Sequence, residues 1–278
     1  MKYPVLHRIC SLILVLLLCF SLSACQTADS QPQSPTQVPS SYPILFLDGI
    51  EGDTHAYVLC AIDSGELKLA EDYLYNGKPL SDYYDCSNEA VSSEILDTAQ
   101  EFTFINANGM TFQTGIDGLT CTDRPIDESI AVCAEVDSQP GEKSYYLGTY
   151  TGVSLLPADM TVGEKQITAD LDGDGQVDTV SWAFTPANPE EYGEHFDYTI
   201  TVAMGGTSYN IESDENYPCA EEDLTIFVAD LDQNGKYELV VCENSLSRFR
   251  SVTVYRLNAG TAEAWLTYVI DPEPRISL

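Results

Sequence analysis

Two short stretches of the sequence concentrate acidic residues in the same order. Residues 169–180 read ADLDGDGQVDTV, and residues 229–240 read ADLDQNGKYELV. Both fit the frame Asp-x-Asp-x-Asp/Asn-Gly-x-x-Asp/Glu, and matching positions are 60 residues apart. Carboxylates a few ångströms apart repel each other, and a divalent cation bound among them turns that repulsion into attraction. The spacing therefore predicts a cation site in each stretch.

The order of residues indicates how such a site would be built. In a tight loop, oxygen ligands at positions 1, 3 and 5 converge on one point, a glycine at position 6 permits the reversal of the chain, and the carbonyl at position 7 adds an oxygen. Calcium prefers hard oxygen ligands of this kind. The alternative is an Asp/Asn/Gly turn that binds no metal. The predicted ligands are Asp170, Asp172, Asp174 and the carbonyl of Gln176 in the first loop, and Asp230, Asp232, Asn234 and the carbonyl of Lys236 in the second.

A carboxylate at position 9 distinguishes both loops from an EF-hand. An EF-hand needs a bidentate Glu at position 12 and flanking helices. Position 12 is Ser181 in one loop and Val241 in the other, whereas position 9 is Asp178 or Glu238 at the start of a β-branched or aliphatic segment. The same departure in both copies also disfavours dockerin-like modules, whose calcium loops lie on helices at shorter spacing.

The alternation of apolar and polar residues predicts β-strands around both loops. Val180, Trp182 and Phe184 lie on one face of a strand, and residues 198–204 alternate in the same way. The pair Gly205-Gly206 predicts a two-residue hairpin turn. After the second loop, ELVVC, SVTVYRL and AWLTYVI predict three more strands. Each loop would join the first two strands of a four-stranded antiparallel unit, which gives two units in tandem.

With these loops and strands, residues 162–270 resemble the FG-GAP or VCBS-type repeat, the calcium hairpin of integrin-like β-propeller blades. The resemblance implies blade-like units and one or two bound calcium ions. The second loop departs from the pattern, because Asn234 replaces an acid and Lys236 adds a positive charge. The implied ligands are Asp170, Asp172, Asp174, Gln176 and Asp178, and then Asp230, Asp232, Asn234, Lys236 and Glu238.

The sequence before the repeats predicts further strands without the acidic frame. Residues 44–60 and 102–115 each read as strand, polar turn and strand. We therefore predict an all-β fold with an N-terminal β domain at residues 42–155, including a short helix near residues 92–100, and a calcium-binding repeat domain at residues 156–278. The alternative is one degenerate four-unit propeller-like assembly, since propellers typically have four to eight blades.

Residues 1–25 have the features of a targeting segment. Lys2 and Arg8 precede an apolar run at residues 9–22, and Ala24 precedes Cys25. The segment resembles a bacterial lipoprotein signal peptide with its lipobox, which implies that Cys25 carries the lipid on the extracytoplasmic face of the cell membrane. An ordinary signal peptide or a membrane span is the alternative, but the apolar run is short for a span. Residues 26–41, rich in Gln, Ser, Thr and Pro, predict a disordered linker.

The cysteines outside the signal segment predict disulfides. Their number is even, their spacing does not suit zinc, and an exported protein favours up to three disulfides, which we assign between neighbours in the sequence. Buried thiols are the alternative. The six residues are Cys60, Cys86, Cys121, Cys133, Cys219 and Cys242.

Charge and motifs restrict the possible functions. The chain has 44 Asp and Glu against 12 Lys and Arg, a formal net charge of −32, which disfavours nucleic acid as a partner. The sequence contains no HExxH, GxSxG, phosphate loop or GxGxxG before a helix. We therefore expect a protein that is not an enzyme and that binds or presents an unknown protein or glycan ligand. An extracytoplasmic enzyme or inhibitor directed at carbohydrate or peptide, with calcium in a supporting role, is the alternative.

Overall fold

The computed structural model describes residues 40–50, 53–72, 74–75, 78–79, 101–115, 119–121, 133–136, 144–188, 195–213, 218–245 and 250–270. Within these residues the secondary structure consists of β-strands and one short 3-10 turn, Ala70–Asp72. The all-β prediction is confirmed. The helix predicted near residues 92–100 and the signal segment lie outside the described residues. None of the described segments is a helix long and apolar enough to cross a bilayer.

The strands before residue 156 form one large antiparallel sheet and one small ladder. The strands are β1 (Ser41–Ile50), β2 (Asp53–Asp63), β3 (Glu66–Leu69), β4 (Leu74–Tyr75), β5 (Lys78–Pro79), β6 (Glu101–Asn106), β7 (Thr111–Gly115), β8 (Leu119–Cys121), β9 (Cys133–Val136) and β10 (Ser144–Tyr150). In the described residues the large sheet has the order β7-β6-β10-β1-β2-β9-β8, β3 also pairs with β2, and β4 pairs with β5. The predicted strand pairs in residues 44–60 and 102–115 are confirmed as β1–β2 and β6–β7.

In the described residues, eight of the remaining nine strands form the two predicted four-stranded units, and the other, Thr161–Gly163, pairs with the edge of the first unit. These strands are β11 (Thr161–Gly163), β12 (Gln166–Ala169), β13 (Asp178–Pro186), β14 (Phe196–Met204), β15 (Thr207–Glu212), β16 (Cys219–Ala229), β17 (Glu238–Ser245), β18 (Arg250–Asn258) and β19 (Thr261–Ile270). Strands β12 to β15 form the first repeat and β16 to β19 the second, each with successive strands paired antiparallel. In the described residues a single pairing, Phe196 with Cys219, joins them into one sheet.

The second repeat is buried on both faces. Phe227 and Ala229 of β16 belong to a hydrophobic cluster that also contains residues of the N-terminal sheet. Ile226 and Val228, which alternate with them, belong to a cluster that contains residues of the first repeat. Because successive side chains point to opposite faces of a strand, the second repeat forms a middle layer between the N-terminal sheet and the first repeat. All three belong to one compact unit, Val38–Leu278.

The first repeat has one apolar and one polar face. Its apolar face shares the second cluster. On the other face, four positions that are apolar in the second repeat are polar in the first, and none of these polar residues is buried. They are Gln166, Thr168, Thr179 and Ser181, which match Ile226, Val228, Leu239 and Val241. Covering amide and hydroxyl groups without partners costs free energy. The polar face therefore marks the outer side of the three-layer stack, as the end units of repeat proteins do.

Three of the six cysteines are buried thiols, which differs from the expected disulfides. Cys60, Cys219 and Cys242 form no disulfide. Cys242 lies three residues from Ser245, the register partner of Cys219. That offset corresponds to about 10 Å along a strand, which exceeds the roughly 7 Å between Cα atoms that a disulfide allows. Burial raises the pKa of the Cys219 thiol to about 12. The remaining three, Cys86, Cys121 and Cys133, lie outside the residues whose side chains are described.

Candidate metal centre

The first acidic loop connects β12 to β13 and brings three carboxylates together. One side-chain oxygen from each of Asp170, Asp172 and Asp174 lies within 4.8 Å of the other two. Asp170 and Asp172 are half-buried, and Asp174 is exposed. The structure therefore gathers the three acids that the sequence placed at positions 1, 3 and 5.

The backbone of the first loop produces this convergence. Gly173 and Gly175 have φ angles of 77° and 83°, a left-handed conformation that residues with a Cβ rarely adopt. The reversals direct backbone amides toward the carboxylates. Gly175 N donates to Asp170 Oδ2 at 2.8 Å, and Asp174 N donates to Asp172 Oδ1 at 3.1 Å. Hydrogen bonds within the loop thus hold the acids close together.

Asp178, at position 9, closes the loop from the first residue of β13. Its carboxylate accepts hydrogen bonds from Leu171 N at 2.9 Å and Gly205 N at 3.4 Å. Asp178 is only 5% exposed, and this burial is the main cause that raises the pKa of its carboxyl. Its oxygens are not among those that meet within 4.8 Å. In this structure Asp178 therefore holds the loop on the strand rather than joining the three converging acids.

The second loop, between β16 and β17, repeats this geometry 60 residues later. Gly235 N donates to Asp230 Oδ2 at 3.0 Å, and Asn234 N donates to Asp232 Oδ1 at 3.1 Å. Gly235 has a φ angle of 82°, and Gln233 adopts the left-handed conformation that Gly173 has in the first loop. Two sequences that differ at several positions therefore form the same loop.

Two of the three acids of the second loop are buried. Asp230 is 9% exposed and Glu238 is 6% exposed. Glu238 Oε2 accepts a hydrogen bond from Leu231 N at 3.1 Å, as Asp178 does from Leu171 N. Burial raises the pKa of Asp230, and burial together with the charges of Asp232 and Asp230 raises the pKa of Glu238 to about 7. Both carboxylates thus lie where a negative charge is poorly solvated.

The second loop also contacts the N-terminal part of the chain. The Tyr42 hydroxyl donates to the carbonyl oxygen of Leu231 at 3.2 Å, and Gln233 Nε2 donates to the carbonyl oxygen of Ser154 at 2.7 Å. These bonds join residues 189 and 79 positions apart. The repeat pattern does not predict Tyr42 or Ser154 at this site, because it does not indicate which distant segment covers a loop.

Three carboxylates in these loops are buried without an ion pair to any cationic side chain of the described segments. Asp178, Asp230 and Glu238 are the ionisable members among the buried polar residues of the described segments. In those segments no lysine or arginine forms an ion pair with any of the three. A buried carboxylate without a cationic partner is costly even when it accepts backbone hydrogen bonds, so it either takes up a proton or pairs with a bound cation. The oxygen-only donor set fits calcium.

Comparisons with known proteins identify no relative of this chain. No family model matches the sequence, and no curated protein or solved structure matches it either.

Proposed function

We propose that this chain is a lipid-anchored protein on the extracytoplasmic face of a bacterial membrane, in which two acidic loops bind structural calcium ions. The observation that carries the calcium proposal is the recurrence of one pattern of glycine reversals and carboxylate bonds in both loops. In a chain with 44 acidic residues, isolated acidic turns need no explanation. Two matching acidic turns, each with a buried carboxylate at position 9, do need an explanation, and a bound cation in each supplies it.

The donor atoms of each loop can be assigned from their positions. Side-chain oxygens at positions 1, 3 and 5 would bind the ion, and the carbonyl at position 7 would add a ligand. The carboxylate at position 9 would hold the loop on its strand and lower the free energy of the bound cation through its charge. The side-chain donors are Asp170, Asp172 and Asp174 in the first loop, and Asp230, Asp232 and Asn234 in the second. Gln176 and Lys236 would supply the carbonyls.

The layered sheets are suited to binding or presentation. The middle repeat is buried on both faces, so the stack provides a rigid support for loops at its ends. The formal net charge of −32 disfavours nucleic acid and favours a neutral or basic partner. We infer that the partner is a protein or a glycan at the cell surface.

Calcium binding to the full chain tests the metal part of the proposal. Equilibrium dialysis with ⁴⁵Ca²⁺ should give two ions per chain. The double substitution Asp170→Ala/Asp172→Ala should leave one ion, and Asp230→Ala/Asp232→Ala should also leave one. Glu263→Ala removes an exposed acid on β19 and should leave both. Calcium uptake that depends only on the number of acids removed, wherever they lie, would contradict the proposal. No uptake by the wild type would contradict it as well.

Metabolic labelling with radioactive palmitate tests the anchor. The wild-type chain should incorporate label, and Cys25→Ala should abolish it. Cys19→Ala changes a cysteine of the same segment and should label normally. Equal labelling of Cys25→Ala and the wild type would rule out Cys25 as the anchor.

A further inference from the structure

The two acidic loops touch each other directly. Tyr237 N, at position 8 of the second loop, donates to the carbonyl oxygen of Leu171, at position 2 of the first loop, at 2.9 Å. Gly173 of the first loop lies against the second, because a Cβ built on it would stand 3.1 Å from the carbonyl oxygen of Gly235. The ordered second loop is therefore part of the surface on which the first loop rests.

These contacts involve the residues that shape each loop. The amide of Leu171 is held by the position-9 carboxylate Asp178, while its carbonyl accepts from Tyr237. Gly173 and Gly235 each form a left-handed reversal. A backbone movement at residues 235–237 would therefore break the bond to Leu171 and change the space beside Gly173. Neither loop can change its backbone there without disturbing the other.

The second loop is fixed in turn by the N-terminal part of the chain. Its Leu231 carbonyl accepts from the buried hydroxyl of Tyr42, and its Asp230 amide donates to the carbonyl oxygen of Leu155 at 2.8 Å. Hydrogen bonds thus connect β1 to the second loop, and the second loop to the first.

We propose that the two loops form one conformational unit, which opens and closes as a whole. A disturbance in either loop passes to the other through the Leu171–Tyr237 hydrogen bond and the Gly173–Gly235 contact. The coupling rests on these contacts and does not require a bound ion. If the loops hold calcium as proposed above, an ion in one loop also favours the ordered state of the other, and the effect is reciprocal.

Native-state hydrogen exchange on the full chain tests this coupling. Exchange is followed by mass spectrometry at low denaturant concentrations on peptides that cover residues 170–178 and 230–238, in one series with chelator and one with calcium. Within each series the two loops should have the same opening free energy and the same dependence on denaturant. Different values for the two loops in either series would overturn the proposal.

A matched pair of glycine substitutions adds a directed test. Gly175 and Gly109 have φ angles of 83° and 81°, and neither has a neighbour within 4 Å of a built Cβ. Gly175→Ala strains the first loop and should accelerate exchange roughly tenfold in both loops, since left-handed backbone costs a residue with a Cβ about 1–2 kcal/mol. Gly109→Ala places the same strain in the β6–β7 turn and should leave both loops at the wild-type rate.

The outcomes separate the coupling from the calcium proposal. Acceleration of residues 170–178 alone by Gly175→Ala would overturn the coupling, whatever the metal does. If Gly175→Ala changes the exchange rate of neither loop, the comparison of the two loops in the wild type decides between the outcomes. Equal opening free energies support the coupling, and different ones overturn it. Identical exchange with calcium and with chelator would count against calcium binding and leave the comparison between the loops intact.

Discussion

We expect calcium at about 10 mM to raise the midpoint of thermal unfolding by roughly 10 to 20 °C over chelator. For an extracellular site with a Kd on the order of 10⁻⁴ M, this calcium concentration is about 100 times the Kd. Binding at that ratio stabilises the folded state by about 2.7 kcal/mol per site. In a chain of this size, 1 kcal/mol shifts the midpoint by about 2–4 °C. Two loops give the expected range. Differential scanning calorimetry of the full chain measures it.

Variants and a second cation serve as controls for the calcium shift. Asp170→Ala/Asp172→Ala removes one of the two sites and should retain about half of the shift. The retained shift should be smaller still if the coupled second loop is disturbed as well. Magnesium at the same concentration should give a smaller shift, because Mg²⁺ requires near-octahedral geometry and loses its water reluctantly. Equal midpoints in calcium and chelator would reject the role of calcium in stabilising the fold.

We expect Leu231→Ala to lower the free energy of unfolding by about 3 kcal/mol, as truncation of a buried leucine typically does. Leu231 has no exposed surface and belongs to the cluster shared by the N-terminal sheet and the second repeat. Leu171→Ala is the matched variant at position 2 of the first loop, in the cluster between the two repeats, and should cost a similar amount. Because the three layers share cores, both variants should shift one transition of the whole chain.

Urea denaturation with two probes measures this effect. The two tryptophans of the chain, Trp182 and Trp265, both lie in the repeats, so fluorescence reports on those strands. Far-UV circular dichroism reports on all strands, including the N-terminal sheet. Coincident transitions are the expected result. A second circular dichroism transition that Leu231→Ala leaves unchanged would show that the N-terminal sheet unfolds independently.

Local patterns in the sequence predict much of the strand order. The hairpin turn predicted at Gly205 and Gly206 is confirmed, with φ angles of 57° and 74° between the paired residues Met204 and Thr207. Both acidic loops lie between the predicted first and second strands. These features follow from glycine conformation and side-chain alternation, which act between neighbours in the sequence.

Contacts between distant segments could not be predicted in the same way. Alternation identifies Phe227 and Ile226 as residues on opposite faces but does not name what covers each face. The N-terminal sheet covers one face and the first repeat the other. The buried hydroxyl of Tyr42 and the thiol of Cys219 likewise depend on the register of remote strands. The blade-like interpretation remains a prediction, since shared strand order does not by itself define a propeller.

A crystal structure of the chain grown with ample calcium, with anomalous scattering recorded at long wavelength, would locate any calcium ion in the two loops. We expect one anomalous peak in each loop, with oxygen atoms at about 2.3–2.6 Å. The surrounding side chains should be Asp170, Asp172 and Asp174 in one loop, and Asp230, Asp232 and Asn234 in the other. Carboxylates turned outward into solvent, with no anomalous peak between them, would contradict the account.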